Sequence, residues 1–330
     1  MTKAGIIRGR LAPSPTGFLH LGNAWSFLLA WLANRKEGGH LLLRIDDIDP
    51  VRSKIDFLDA ILADLKWLGL DWDEICFQGK RKPLYDCALK IFEANNLIYK
   101  CFCTRKELRL LANAPHPGDI GAPYPGICRY LPSEVIETNM AQGKPWSLRF
   151  KTGAEPVIFN DLVQGRKEYF PKDIGGDFAL KRSDGIYAYQ LACAVDDGLA
   201  GINQIVRGKD LLPSTGRQLL LLKALGFPEP SYAHIPLLLD KSGERLAKRH
   251  KSLSLASLQE YGIKPEQVTG FLGLLAGINP TGMNKSAGQL VRDFALSRIP
   301  AKDITLNENV LPKWLKAVSL HRNNCAQISG

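Results

Sequence analysis

Residues 6–33 read as a short apolar strand, Ile6 to Leu11, a turn punctuated by Pro13, Pro15 and Gly17, and an apolar helical run from Ala24 to Ala33. A strand that passes through a tight turn into a helix is the opening half of a crossover unit, so this stretch commits the chain to a parallel α/β sheet. It also sets the first amides of a helix beside a backbone turn, where phosphate groups bind. Gly22 lets an adenosine base pack against the backbone, and His20 with those amides can donate to phosphoryl oxygens as charge builds in a transition state.

The alternation continues with a strand His40 to Ile45, a helix Ile55 to Leu68 and a helix Tyr85 to Asn95. From about residue 99 the periodicity breaks, and Pro and Gly cluster between Ala114 and Gly126, which predicts an insertion held by something other than a large core. Strand-like segments follow at Trp146 to Lys151 and Val157 to Asn160. The apolar run Gly185 to Asp197 reads as a buried strand, Gln204 to Arg207 as another that ends in polar residues, and Ser214 to Leu225 as a helix. Short helical patterns occupy Leu255–Tyr261, Pro265–Gly277, Ala287–Leu296 and Asn309–Leu320. The expected organisation is a catalytic sheet in two parts, 1–98 and 181–240, interrupted by an insertion over 99–180 and followed by a helical region over 241–330. In such sheets ligands sit at the carboxyl ends of the strands.

A net charge of +10 predicts a polyanionic partner, because an RNA backbone rewards clustered Lys and Arg through counterion release. No long uncharged apolar run and no basic-then-apolar leader occur, so a soluble cytoplasmic protein is expected, with no membrane partner. The seven cysteines are odd in number and scattered, which makes disulfides the poorer explanation. Cys101, Cys103 and Cys128 are set apart from the rest: a Cys-x-Cys pair with a distant third thiol is the start of a tetrahedral metal site that needs one more ligand. By ligand chemistry His116 is a candidate for it.

Three segments then fall in a recognisable order. They are Arg10-Leu-Ala-Pro-Ser-Pro-Thr-Gly-Phe-Leu-His20-Leu-Gly-Asn23, Arg44-Ile-Asp-Asp-Ile-Asp-Pro50, and the basic loop Arg245-Leu-Ala-Lys248-Arg-His250. In this order they resemble the class I aminoacyl-tRNA synthetases of the glutamyl branch, and most closely its shortened members.

The resemblance implies ATP-dependent activation of L-glutamate, in which its α-carboxylate attacks the α-phosphate of ATP, followed by transfer to an RNA hydroxyl. Such chemistry needs positioning and charge stabilisation more than a protein nucleophile. His20, Asn23 and Lys248 would be catalytic; Pro13, His20, Gly22, Asn23 and Lys248 would bind ATP, with Mg²⁺ accompanying it. Glutamate would be held by Arg10, Leu11, Ala12, Pro13, Ser14, Asp46, Tyr189 and Arg207, the two arginines reading its side-chain carboxylate as planar forks.

The shortened members use a tyrosine four residues before the last cysteine, so Cys101, Cys103, Tyr124 and Cys128 would hold one Zn²⁺ per chain. Only about 75 residues follow the Lys248 loop, so no anticodon-binding domain is expected, and the implied acceptor is queuosine in the anticodon loop of tRNA(Asp), with activation needing no tRNA. The rivals are charging of a tRNA 3′ end and a non-catalytic RNA-binding paralogue. The sequence departs from the branch at Asp46, where Glu is usual, at Ala247, where Ser is usual, and at Arg245, where Lys is usual. Ser14 separates it from the glutaminyl branch, which carries Glu there.

Overall fold

The computed structural model describes residues 5–104, 106–108, 124–246, 254–307 and 310–316. The first part comprises β1 (Arg8–Leu11), α1 (Leu21–Lys36), β2 (His40–Ile45), α2 (Ile55–Trp67), β3 (Glu74–Phe77) and α3 (Lys82–Ala94). The middle holds β4 (Ile98–Cys101), α4 (Ser133–Ala141), β5 (Ser147–Phe150), β6 (Val157–Asp161), β7 (Gly165–Tyr169) and β8 (Phe178–Lys181). Then come α5 (Tyr189–Leu199), β9 (Gln204–Gly208), α6 (Leu212–Ala224), β10 (Ser231–Ile235), β11 (Leu238–Leu239), α7 (Leu255–Glu260), α8 (Pro265–Leu275), α9 (Ala287–Leu290) and β12 (Ile304–Thr305).

Strands β1, β2 and β3 pair in parallel in that order, and β9, β10 and β6 form a second parallel set with β7 antiparallel at its edge. The two sets meet along β1 and β9. Asn203 clamps Arg8 there, its amide donating to the Arg8 carbonyl at 3.0 Å and its side-chain oxygen accepting from the Arg8 amide at 2.8 Å. Strand order reverses at this seam, which makes the crevice beyond β1 and β9 the switch point of the fold.

Alternation along β2 explains how one sheet serves two cores. Leu41, Leu43 and Ile45 face the cluster built on α1, α7 and α8, while Leu42 faces the cluster of α3, α5 and α6. Helix α1 is buried along most of its length, from Leu21 and Trp25 to Asn34, because it lies under the sheet and against the C-terminal helices. Among the described residues no helix is long and apolar enough to cross a membrane.

Two expectations change. Gly185 to Asp197 is not a strand: Tyr189–Leu199 is the helix α5, in which Leu191 through Asp197 are all buried. A continuous apolar run looks alike in a buried strand and a helix packed on all sides, and here the length of the run and its alanines favour the helix. The helix expected to reach Leu296 stops at Leu290 and continues as turns. In the stretch expected as an insertion, β4, β5 and β8 form a small antiparallel sheet, whereas the β6–β7 hairpin joins the main sheet, with Asp161 in register with Tyr232. Of the helix expected over Asn309–Leu320, residues 313–316 are helical, while residues 309 and 317–320 lie outside the described residues.

One packing detail carries a prediction. Asp64 of α2 is buried against α7, where the Gln259 amide donates to Oδ1 at 2.8 Å while Oδ2 has no partner among the described residues. Burial pushes its carboxyl up to about 6, the Gln259 bond only partly opposing this. A carboxyl whose folded pKa is raised favours folding while protonated and loses that contribution as pH rises through the folded value. Asp64→Asn should therefore raise the melting temperature at pH 7.5, and thermal unfolding across pH should show the gain vanish towards pH 4.

Candidate active site

The turn after β1 and the cap of α1 build one wall of a cleft of about 870 Å³ at the switch point. His20 is the N-cap of α1: its Nδ1 accepts from the Gly22 amide at 3.1 Å, and Asn23 returns the bond by accepting from the His20 amide at 3.1 Å. This reciprocal cap fixes both side chains. With Nδ1 as acceptor, a neutral His20 carries its proton on Nε2, the form that donates to a phosphoryl oxygen. A side chain at Gly22 would begin 3.0 Å from the His20 ring and press on the capping imidazole.

Arg10, Ala12, His20, Gly22, Asn23, Tyr189 and Arg207 all line this cleft. Leu11 is in the core, the Pro13 carbonyl accepts from the Asp46 amide at 2.9 Å, and Ser14 is exposed on the turn. These three shape the turn and do not line the cleft. Tyr189 reaches it from the first turn of α5, 37% exposed, and not from a strand end. Lys248 lies outside the described residues, as does His116. Leu246, the second residue of the basic loop, lines the cleft, and Ser254, beyond the loop, bridges to His20.

Asp46 is buried beside the cleft, not among its lining, and both its oxygens are taken by Arg44, at 2.7 and 3.3 Å. Arg44 also binds Asp197 at 2.6 Å, and Arg10 Nε lies 3.5 Å from the same Asp197 oxygen. Burial raises the Asp46 carboxyl, with Arg44 opposing it.

Arg207 is in a different electrostatic position. Its guanidinium donates to His234 Nε2 at 3.1 Å, to Gln218 Oε1 at 2.8 Å and to Thr215 Oγ1 at 2.8 Å, all neutral acceptors. His234 in turn lies 2.5 Å from Asp161 through Nδ1. The cleft mouth adds Arg52 and Arg245, the latter paired to Asp210 at 3.1 Å, so the lining favours an anionic ligand.

Arg44, Asp197, Asp161, His234, Thr215 and Gln218 were not singled out from the sequence. Two consecutive aspartates closing an apolar run, Asp196 and Asp197, were the available signal, since buried carboxylates require cationic or hydrogen-bonding partners. Asp196 finds Arg81, Tyr85 and Gln78.

A second constellation lies in the middle part. The sulfurs of Cys101, Cys103 and Cys128 lie within 4.8 Å of one another, Cys103 and Cys128 at 3.5 Å. The Tyr124 hydroxyl sits 3.3 Å from Cys101 Sγ and 3.7 Å from Cys103 Sγ, and accepts the Cys128 amide at 2.9 Å. A tetrahedral zinc–thiolate site has sulfurs about 3.8 Å apart, so the three sulfurs are close enough together to hold a metal ion. The Arg149 guanidinium stacks 3.8 Å from the Tyr124 ring.

Comparison with known proteins places the chain in a class. Residues 6–302 match the family of class I tRNA synthetases (E and Q), catalytic domain, and the chain belongs to this family of ligases. Its relatives include the glutamyl-Q tRNA(Asp) synthetases of Nitratidesulfovibrio vulgaris, 46% identical over 95% of this chain and 100% of the relative, and of Symbiobacterium thermophilum, 45% identical over 91% and 96%. The glutamate–tRNA ligase of Aquifex aeolicus is 38% identical over 94% of this chain and 66% of its own length. A solved glutamate–tRNA synthetase from Elizabethkingia anophelis shares the fold, with a TM-score of 0.80 at 24% identity over 96% of this chain and 70% of that one. The family uses ATP with Mg²⁺, and its members bind glutamate or glutamine and tRNA.

Proposed function

We propose that the protein activates glutamate with ATP and transfers the glutamyl group to queuosine in the anticodon loop of tRNA(Asp). The observation that carries the amino-acid assignment is Arg207, a buried cation in the cleft whose hydrogen-bond acceptors are all neutral. A carboxylate side chain supplies the missing charge; an amide does not. Arg10, another guanidinium of the lining, adds positive charge beside it, although its Nε lies 3.5 Å from Asp197. Asp46 would hold the substrate ammonium from beside the cleft, through the lone pairs that Arg44 leaves.

The glutamate α-carboxylate attacks the α-phosphorus of ATP and pyrophosphate leaves. His20 Nε2–H and the positive end of the α1 dipole stabilise the charge that develops on the phosphoryl oxygens, and Lys248 would neutralise the departing pyrophosphate. Mg²⁺ bound with ATP would offset phosphate charge. A hydroxyl of the RNA then attacks the activated carbonyl and AMP leaves. Cys101, Cys103, Tyr124 and Cys128 would hold a zinc ion whose contribution is to fix the fold around β4.

Two findings support the acceptor. Three relatives named glutamyl-Q tRNA(Asp) synthetase are 43–46% identical and align over 94–100% of their length, against 35–38% identity and 66–70% of the length for four named glutamate–tRNA ligase. Exchange of pyrophosphate into ATP should proceed with glutamate alone. Labelled glutamate should then appear on the anticodon loop of queuosine-bearing tRNA(Asp) and be absent from the same tRNA with guanosine. Nuclease mapping decides the matter, and label confined to the 3′-terminal adenosine would overturn the acceptor.

A further inference from the structure

We infer that His234 and Asp161 are positioning residues for amino-acid recognition: a neutral imidazole, itself held by the Asp161 carboxylate, fixes the Arg207 guanidinium while keeping that anion out of direct contact with it. The inference rests on the reading that Arg207 receives the substrate's side-chain carboxylate.

The direction of every bond follows from Arg207. A guanidinium only donates, so His234 Nε2, 3.1 Å from Arg207 Nε, is the acceptor. The proton of a neutral ring then sits on Nδ1, facing Asp161 Oδ2. Asp161 is in turn held by the His234 amide, at 3.1 and 3.0 Å, and by the amides of Val163 and Gln164, at 3.0 and 2.8 Å. Three backbone amides therefore fix the carboxylate that fixes the ring that fixes the arginine.

Burial and the adjacent Arg207 outweigh Asp161 and push His234 down to about 4, consistent with a neutral imidazole. The ring of Tyr232, nearly parallel to that of His234 at 14°, stacks on it with centroids 5.8 Å apart.

The arrangement solves a conflict. A buried arginine needs acceptors to hold its geometry, yet a carboxylate in direct contact would cancel the charge that tells an acid from an amide. Elsewhere in the same site the fold does pair arginine directly with aspartate, as Arg44 does with Asp46 and Asp197. At Arg207 an imidazole stands between the guanidinium and its aspartate. The cation is oriented and its charge remains for the ligand.

The test uses His234→Leu, which removes the acceptor, and His234→Gln, whose side-chain oxygen falls near the position of Nε2. In pyrophosphate exchange the leucine variant should raise KM for glutamate by about tenfold or more and reduce the preference for glutamate over glutamine by a similar factor, as loss of a hydrogen bond to a charged group predicts. KM for ATP should stay within about twofold. The glutamine variant should remain within about threefold of the parent in all three. Equal damage in both variants, or a parallel rise in KM for ATP, would show a merely structural role.

A readout independent of activity is the ¹⁵N spectrum of the imidazoles in the ligand-free parent. It should show His234 as the neutral Nδ1-protonated tautomer, and Asp161→Asn should weaken that preference. A cationic or Nε2-protonated His234 overturns the relay even if glutamate proves to be the substrate. A parent that exchanges with no glutamate but shows the Nδ1 tautomer counts against the glutamate reading and leaves the relay standing.

Discussion

Arg207→Ala should abolish glutamate-dependent exchange of pyrophosphate into ATP, lowering kcat/KM for glutamate by about 10²–10³-fold, the range for removing one partner of a buried, hydrogen-bonded charge pair. The substitution strips the site of its unneutralised cation and also leaves Gln218, Thr215 and His234 without the donor they share. Binding of ATP should hardly change, because the His20–Asn23 cap belongs to the β1–α1 junction. Arg207→Lys keeps the charge but not the planar fork, and should fall between the two. Measuring KM for glutamate and ATP separately distinguishes these effects. Near-normal activation by the alanine variant would remove the basis for assigning glutamate.

Zinc should copurify at about one ion per chain, and Cys103→Ser should release it and open the segment around β4 to protease. Among the described residues the hydrophobic cluster there consists of Cys101, Tyr124 and Cys128, with Tyr99, Cys103, Leu108 and Leu131 partly buried around it. So small a core supplies little of the order of 10 kcal/mol that structural zinc contributes to folding of small modules. Burial pushes the Cys103 thiol up to about 12, so without a cation Cys103 stays protonated, its Sγ 3.5 Å from that of Cys128. Metal analysis beside limited proteolysis reads both effects. A metal-free protein equally resistant to protease would make the three thiols ordinary structural cysteines.

Local signals made much of this legible in advance. The β1–turn–α1 unit announces itself through Pro13, Pro15, Gly17 and the helical run, and the residues it brings to the cleft, Arg10, Ala12, His20, Gly22 and Asn23, lie within that one short segment. Strand β9 was likewise readable, and Arg207 with it. What escaped depends on tertiary register. His234 becomes a partner of Arg207 only because β10 lies beside β9 with these two residues opposite each other, and Asp161 reaches His234 only because β6 lies beside β10. Nothing in the sequence around Tyr232 or Asp161 announces that adjacency. Strand β3 was missed because Glu74–Phe77 is a short edge strand, half-exposed and without a clean alternation. Helix α5 was misread because its continuous apolar run, Leu191 to Val195, looks the same in a buried strand.

Arg44 and Asp197 are 153 positions apart in the chain, yet they close the ion pair that ties β2 to α5. Closing so long a loop is entropically costly and must come before the contact can stabilise anything, which makes the docking of the two sheet halves a high-contact-order, slow event in folding. Until it happens Arg44 has only half of its carboxylate partners, and Arg10 and Arg207 are not yet neighbours across the seam. Amino-acid binding therefore serves as a reporter of completed assembly, and a nascent chain emerging from the ribosome gains it only after the residues beyond β10 have been made.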